Sequence, residues 1–218
     1  MKFLQKNYWN MNSKKFSKSL VITGCIIALA ILCNTKAKAG NNSYGVLLGF
    51  TGSTIDGSIY SGYNKLGLTG GIFANRKYSE IWSLQAELKY IMKGAAITSS
   101  VNNPTNPSTL QLDYIEFPVL VKAKTNQKFE FESGLAEAYL LSSQQYFAGG
   151  ISDNLSLKKT DLSFIAGVSY LYNEHFTFNL KFSYSLKRIS YLAYNITIFG
   201  TYGQYNNLLN FSVYYTIK

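Results

Sequence analysis

The sequence predicts an all-β chain: an eight-stranded antiparallel up-and-down transmembrane β-barrel after a cleaved signal peptide. Three observations predict it. Apolar and polar side chains alternate with period two through several long segments, which puts them on opposite faces of strands. The connections between those segments alternate between long and short. Outside the first 39 residues, no apolar run approaches the roughly 20 residues that a membrane helix needs.

The leader comes first in the chain. Of 21 basic residues, seven lysines lie within residues 1–39, where no acidic residue occurs. That leaves 14 basic and 11 acidic residues beyond, a net of +3 rather than the +10 of the whole chain. The basicity is mostly that of a targeting segment, and nucleic acid loses its electrostatic case as a partner. Leu20 to Cys33 is an apolar core of signal-peptide length, and Ala37-Lys38-Ala39 is an A-x-A site that places cleavage before Gly40. A start at Met11 gives a leader of more ordinary length. Ile22-Thr23-Gly24-Cys25 has the look of a lipobox, but most of the apolar core follows Cys25, where a lipobox should end it. The expected division is 1–39 signal peptide and 40–218 barrel. Both cysteines, Cys25 and Cys33, fall in the leader, so the mature chain has no disulfide, thiolate metal site or cysteine nucleophile.

Four strands are plain. Trp82, Leu84, Ala86, Leu88, Tyr90 and Met92 form one face, against Ser83, Gln85, Glu87, Lys89 and Lys93, with Ile91 as an exception. Leu162 to Tyr170, Phe176 to Leu186 and Leu209 to Ile217 alternate in the same way. Four more are weaker: Tyr44–Phe50, Leu66–Ala74, Leu110–Ala123 and Phe129–Leu141. In the third of these the apolar phase changes, which predicts a bulge near Tyr114. Pro118 cannot donate a ladder bond and should sit at an irregularity or at broken pairing. In the fourth, Glu137 interrupts the apolar face. Long connections are expected at about 52–65, 94–109, 143–159 and 191–204, and short ones at 75–80, 124–128 and 173–175.

Alternation alone does not say which face is outside. Two observations favour apolar-out over a lipocalin-like secreted barrel. The polar face carries small residues and opposite charges suited to a narrow lumen. Aromatics also gather near strand ends (Tyr44, Trp82, Phe129, Tyr170, Tyr172, Phe176, Tyr215), as two aromatic girdles would produce. Aromatic residues make up 16% of the chain, with 18 tyrosines against 3 prolines, the bias of strands at a membrane interface. Eight strands leave room for side chains and little else. The expected lumen is therefore a structural charge network of Glu87, Lys89, Lys93, Glu116, Lys122 and Lys181. The expected location is the outer membrane, with long loops extracellular and both mature termini periplasmic.

The segments Gly67-Leu-Thr-Gly-Gly-Ile-Phe, Leu84-Gln-Ala-Glu-Leu-Lys-Tyr, Leu112-Asp-Tyr-Ile-Glu-Phe-Pro-Val-Leu-Val-Lys122, Glu132-Ser-Gly134 and Phe164-Ile-Ala-Gly167 are those of a known family. Across nearly all of the mature chain the sequence resembles the PorT-type outer-membrane β-barrel family of Bacteroidota, also labelled porin-like. Leu-Asp-Tyr-Ile-Glu-Phe-Pro is the most specific stretch. The resemblance implies a barrel without assigned activity, or an accessory of type IX protein secretion. The chain ends Tyr-Thr-Ile-Lys218, not in the aromatic residue common among such barrels.

Chemistry has little to work with. His175 is the single histidine; a lipid-modifying barrel enzyme could use it with a serine and a carboxylate, but it falls in a predicted turn. One histidine and no cysteine make no metal cluster. Gly70-Gly71 and Gly149-Gly150 read as bends or loop tips. No catalytic residue, metal or cofactor is expected. The expected partners are outer-membrane lipid, the barrel assembly machinery and a secretion-system or extracellular partner, with no nucleic acid. Tyr146, Phe147, Tyr191 and Tyr194 are the candidate external contacts. A non-enzymatic barrel acting through its loops is the leading reading, ahead of the secretion accessory, the lipid-modifying enzyme and a small pore.

Overall fold

The computed structural model describes residues 42–217, except 61, 98–106, 148, 153–156 and 193–194. The expected start at Met11 and the cleavage residues Ala37, Ala39 and Gly40 lie outside the described residues. Eight long strands form one antiparallel ring: β1 (Asn42–Asp56), β2 (Lys65–Lys77), β3 (Trp82–Ile97), β4 (Ser108–Lys124), β5 (Phe129–Phe147), β7 (Thr160–Leu171), β8 (Phe176–Ser185) and β9 (Tyr205–Ile217). Each pairs with the next, and β1 pairs with β9 from Tyr44↔Ile217 to Asp56↔Tyr205, which closes the barrel. A three-residue strand, β6 (Gly150–Ser152), folds back on the end of β5 as a hairpin above the ring.

Burial alternates along every strand and decides the orientation. Leu48, Phe50, Leu68, Leu88, Leu135, Leu180 and Phe211 are exposed, whereas Gln85, Glu87, Lys89, Glu116, Lys181 and Ser212 are buried. Apolar residues therefore face outward and polar ones inward, the arrangement of a barrel in lipid. The seven aromatics singled out above all lie at the tight-turn end, on the first or last residues of strands or, for Tyr172, in the turn itself. They form one girdle, not two. At the other end Tyr139, Phe199 and Tyr202 are exposed, and the last two belong to a loop that alternation could not place.

The strands run further than their alternation. The connections at the long-loop end are 57–64 (L1), 98–107 (L2), 148–159 (L3, containing β6) and 186–204 (L4). L1, L2 and L3 are shorter than expected, and L4 is longer. The reason is physical. Period-two hydrophobicity persists only where one face meets lipid; where a strand rises into water both faces tolerate polar residues, and the signal fades. The tight turns are 78–81, 125–128 and 172–175. Asn126 Oδ1 caps one by accepting from the amides of Lys128 and Phe129, both at 2.8 Å, and Asn173 Oδ1 does the same for His175 and Phe176.

The bulge lies where expected, between Asp113 and Tyr114, but the extra residue is Leu141 of β5. Strand β4 itself keeps its phase: Leu110, Leu112, Tyr114, Glu116, Leu120 and Lys122 are all buried and inward. The apparent phase change arose because the interior is apolar near the loops. Pro118 pairs with Ala136 of β5, while on its β3 side the ladder runs from Ala86↔Val119 to Lys89↔Glu116 without bonds between. Gly70 and Gly71 are neither a bend nor a loop tip; they lie mid-strand in β2. A Cβ on Gly71 would run into Leu88 and Lys89 of β3, so the close approach needs glycine. Glu137 stands outward and half-buried between Phe117 and Leu162, with Lys187 near enough to act on it electrostatically.

Leu48 sits mid-wall, among the most exposed of the apolar residues. Leu48→Arg should therefore destabilise the protein refolded in phospholipid vesicles by about 2–4 kcal/mol. Urea unfolding, followed by the heat-dependent shift on unboiled gels, measures it; an unchanged midpoint would mean that this face does not meet lipid.

Candidate functional site: the barrel interior and the loop rim

The interior has two parts. From the tight-turn mouth upward runs an alternating series of carboxylates and lysines. Lys122 meets Glu130 at 3.0 Å and Glu132 at 3.7 Å. Lys181 meets Glu132 at 3.4 Å and Glu87 at 2.6 Å. Lys89 meets Glu87 at 3.5 Å and Glu116 at 3.3 Å. Lys93 meets Glu116 at 2.7 Å and Asp161 at 3.2 Å. Glu130 and Lys122 at the mouth keep slight exposure; the side chains of the other seven are almost wholly buried.

All six lumen residues named from sequence are brought together in this series. Sequence reasoning missed Glu130, Glu132 and Asp161, which complete it. The signal was present: each shares the inward parity of its strand, fixed by Phe129 and Phe131 on β5 and by Leu162 and Phe164 on β7. Neutral donors add to the ion pairs at Glu87, Glu132 and Asp161. Gln85 Nε2 donates to Glu87 at 2.7 Å, and Asn179 Nδ2 donates to Glu132 at 2.8 Å. Asp161 accepts from Ser185 Oγ at 2.6 Å and from Asn206 Nδ2 at 2.8 Å. The Tyr214 hydroxyl donates to Glu87 at 2.8 Å and accepts from Lys181 at 2.7 Å. These neutral partners carry no charge pattern, so only the structure reveals them.

Above Asp161 the filling turns apolar. Ile55, Ile91, Leu110, Leu112, Tyr114, Leu140 and Leu208 pack across the barrel, joined by Ile189 from L4, Tyr60 from L1 and Leu157 from L3. Ile91, the exception in the polar face of its strand, belongs to this layer. The Tyr60 hydroxyl lies 3.2 Å from Ser108 Oγ and accepts from Gln145 Nε2 at 3.3 Å, which ties L1 into the interior. Residues from three loops thus pack on this layer, above the charged series.

Outside, Tyr146, Phe147 and Ile151 are exposed on the β5–β6 hairpin; Gly149 lies in its turn, while Gly150 pairs with Phe147 as the first residue of β6. The exposed ring of Tyr191 has the guanidinium of Arg188 at 4.1 Å and the ammonium of Lys158 at 4.7 Å. Tyr194 lies outside the described residues. His175 occupies the β7–β8 turn as expected, but it is half-buried rather than fully solvated. Its ring stacks on Tyr215 and its Nδ1 lies 3.1 Å from the carbonyl of Thr216. That nitrogen is engaged by main chain, not by a nucleophile.

A closed eight-stranded ring with an apolar belt and an ion-paired interior defines a small outer-membrane barrel. The chain belongs to the outer membrane protein beta-barrel domain family, which it matches over residues 35–191. It is similar in fold to two crystal structures. Neisserial surface protein A shares 15% identity at a TM-score of 0.53, over 80% of this chain and 97% of that one. Ail, the attachment invasion locus protein of Yersinia pestis, shares 12% identity at a TM-score of 0.50, over 81% of this chain and 99% of that one. No curated protein matches the sequence. The family and the fold locate the protein in the outer membrane.

Lys181 is the cation shared by Glu87 and Glu132. Lys181→Met should cost about 3–5 kcal/mol, because it leaves carboxylates buried without their counter-charge. The pair Lys181→Met with Glu87→Gln should cost less than the two single changes summed. Urea unfolding of refolded protein in detergent micelles checks both; simple additivity would mean that the two do not interact.

Proposed function

We propose that the protein is a non-enzymatic, non-conducting outer-membrane barrel that acts through the surface its loops present. The observation that carries this reading is the filled interior. Nine charged side chains occupy the lumen from the tight-turn mouth, and an apolar layer closed by Tyr60, Leu157 and Ile189 seals the loop end. Among the described residues, a solute crossing the lumen meets buried ion pairs and then the apolar layer. Contact is left to the outside of the barrel, where Tyr146 and Phe147 at the end of β5, paired with Thr109 and Ser108 of β4, and Ile151 of β6 are exposed. Rigid aromatic side chains on a short hairpin suit recognition at small entropic cost. The long loops face the exterior in this reading, and both mature termini face the periplasm.

The second reading is a secretion accessory of the PorT kind, meeting a periplasmic partner. One observation favours it. A groove of about 690 Å³ opens between the 78–81 and 125–128 turns, lined among others by Lys77, Tyr78, Trp82, Lys124 and Gln127.

Two measurements test these readings. Purified protein in planar bilayers should show no stable conductance; a reproducible open level would overturn the filled lumen. A photo-crosslinking residue at Phe147 should yield a discrete adduct in intact cells, and one at Gln127 should not. The reverse result would move the working surface to the periplasmic groove.

A further inference from the structure

Strand parity exposes an anomaly at the loop end of β1, β8 and β9. Thr54, Asn207 and Tyr184 are register partners in one row across these strands. They share outward parity with Phe50, Phe211 and Leu180, which are 62%, 44% and 48% exposed. Yet Thr54, Asn207 and Tyr184 are only 9%, 7% and 7% exposed. Something covers the outer wall here, and it comes from L1 and L4.

The Tyr63 hydroxyl of L1 donates to Asn207 Oδ1 at 2.7 Å, and its side chain passes over outward Gly52. In L4, the Phe199 ring packs edge-on against Tyr184 at 4.9 Å between centroids. The amide of Ile198 donates to Asp56 Oδ2 at 3.0 Å, and Tyr184 donates to the same oxygen at 2.8 Å. Asn195 Nδ2 donates to the Ser58 carbonyl at 3.0 Å, which ties L4 to L1. L4 closes its own tip, the Gly200 amide donating to Thr197 O at 2.9 Å. Residues 195–201 of the loop are thereby laid over the outside of the ring, while Ile189 at its start turns inward.

Having covered polar wall residues, the loop leaves its apolar side chains largely exposed. Ile196, Ile198, Phe199 and Tyr202 are 60%, 65%, 67% and 68% exposed. Their height is set by the strands. From Tyr44 in the lower girdle to Thr54 is ten residues; at ~3.3 Å per residue and a tilt of ~40° that is about 25 Å along the axis, the height of the apolar band of such barrels. The tip is held at Asp56 and Tyr184, where the band ends, and the row it covers lies one outward step beyond the lipid-facing Leu209 on β9.

We infer that residues 196–202 of L4 are a membrane-seated collar, with Ile198 and Phe199 in contact with lipid at the band's upper edge. The occupant of this surface is the bilayer. The arrangement has a physical reason: Asp56, Thr54 and Asn207 would otherwise present polar groups to the lipid boundary. L4 satisfies Asp56 and Tyr63 of L1 satisfies Asn207, the Thr54 hydroxyl is covered without a hydrogen-bond partner, and the two loops replace that row with apolar surface. The collar holds whichever rim faces outward, so it stands apart from the reading of the loops as a contact surface.

Trp82, in the opposite girdle, is the single tryptophan after residue 39, which makes a clean probe simple. Phe199→Trp in a Trp82→Phe background is refolded into vesicles of phosphatidylcholine or of its acyl-brominated form. Phe211→Trp serves as the lipid-facing control and Tyr146→Trp as the aqueous one. Unboiled gel mobility matching the parent verifies the fold of each. The result expected is bromine quenching of the Phe199→Trp variant comparable to that of the lipid-facing control, with little quenching by aqueous iodide. Iodide quenching like that of the aqueous control would overturn the collar and leave L4 as a surface for a soluble partner. Shielding from both quenchers would overturn it too, by placing Phe199 under protein.

Discussion

A main chain in hydrocarbon has no water to satisfy its amides, and this constraint shapes every part of the molecule. A sheet meets it only by pairing its first strand with its last. Here that closure is the β1–β9 seam, continuous from Tyr44↔Ile217 to Asp56↔Tyr205. Once the ring is closed at eight strands, its interior is about wide enough for side chains to fill. Residues on β1 and β2 yield space by being small (Gly45, Gly49, Gly67, Gly71), and those on β3, β4, β5, β8 and β9 fill it with lysine, glutamate and tyrosine. Apolar filling throughout would leave little to distinguish inside from outside during assembly. Charges cannot be left facing lipid, so they orient the sheet, and their mutual pairing then offsets their burial.

The pairing is a shared series rather than isolated couples. Lys89, Lys93, Lys122 and Lys181 each touch two carboxylates. Glu87, Glu116 and Glu132 each touch two lysines. A network of this kind links strands far apart in sequence: Lys181 on β8 joins Glu87 on β3 across the barrel. Its contribution is the fixing of register and closure, since a one-residue slip of any strand would turn its charge into lipid.

Much of this was legible in the sequence, and the limits follow from what alternation measures. Strand number, antiparallel order, the outward face and six members of the charge series could be read because lipid on one side and paired charge on the other enforce period two. The signal failed where that contrast failed. Near the loops the lumen is filled by Leu112 and Tyr114, so β4 read as a change of phase although it has none. At the upper edge of the apolar band β1 continues through Thr54 to Asp56 with polar residues on its outward face, so its end read as loop. The aromatic girdle at the tight turns was visible because it sits on strands. Its counterpart was invisible because a large part of it sits on L4, whose place depends on hydrogen bonds to Asp56 and Ser58 that no local pattern encodes.

That last difference bears on how the two rims work. At the tight-turn rim the strands themselves supply the boundary, with Trp82, Phe129 and Phe176 at their ends. At the loop rim the strands carry polar residues outward, and the protein resolves the conflict with L4. One loop then has two duties: Ile189 seals the lumen, and Ile198 and Phe199 seal the wall. The β5–β6 hairpin carries less of either demand: Gln145 bonds the Tyr60 that helps seal the lumen, and Tyr146 and Phe147 end the β4–β5 ladder, but the aromatic side chains stay exposed. Exposed side chains at the end of a ladder are where a binding surface can diverge without unfolding the barrel that carries it.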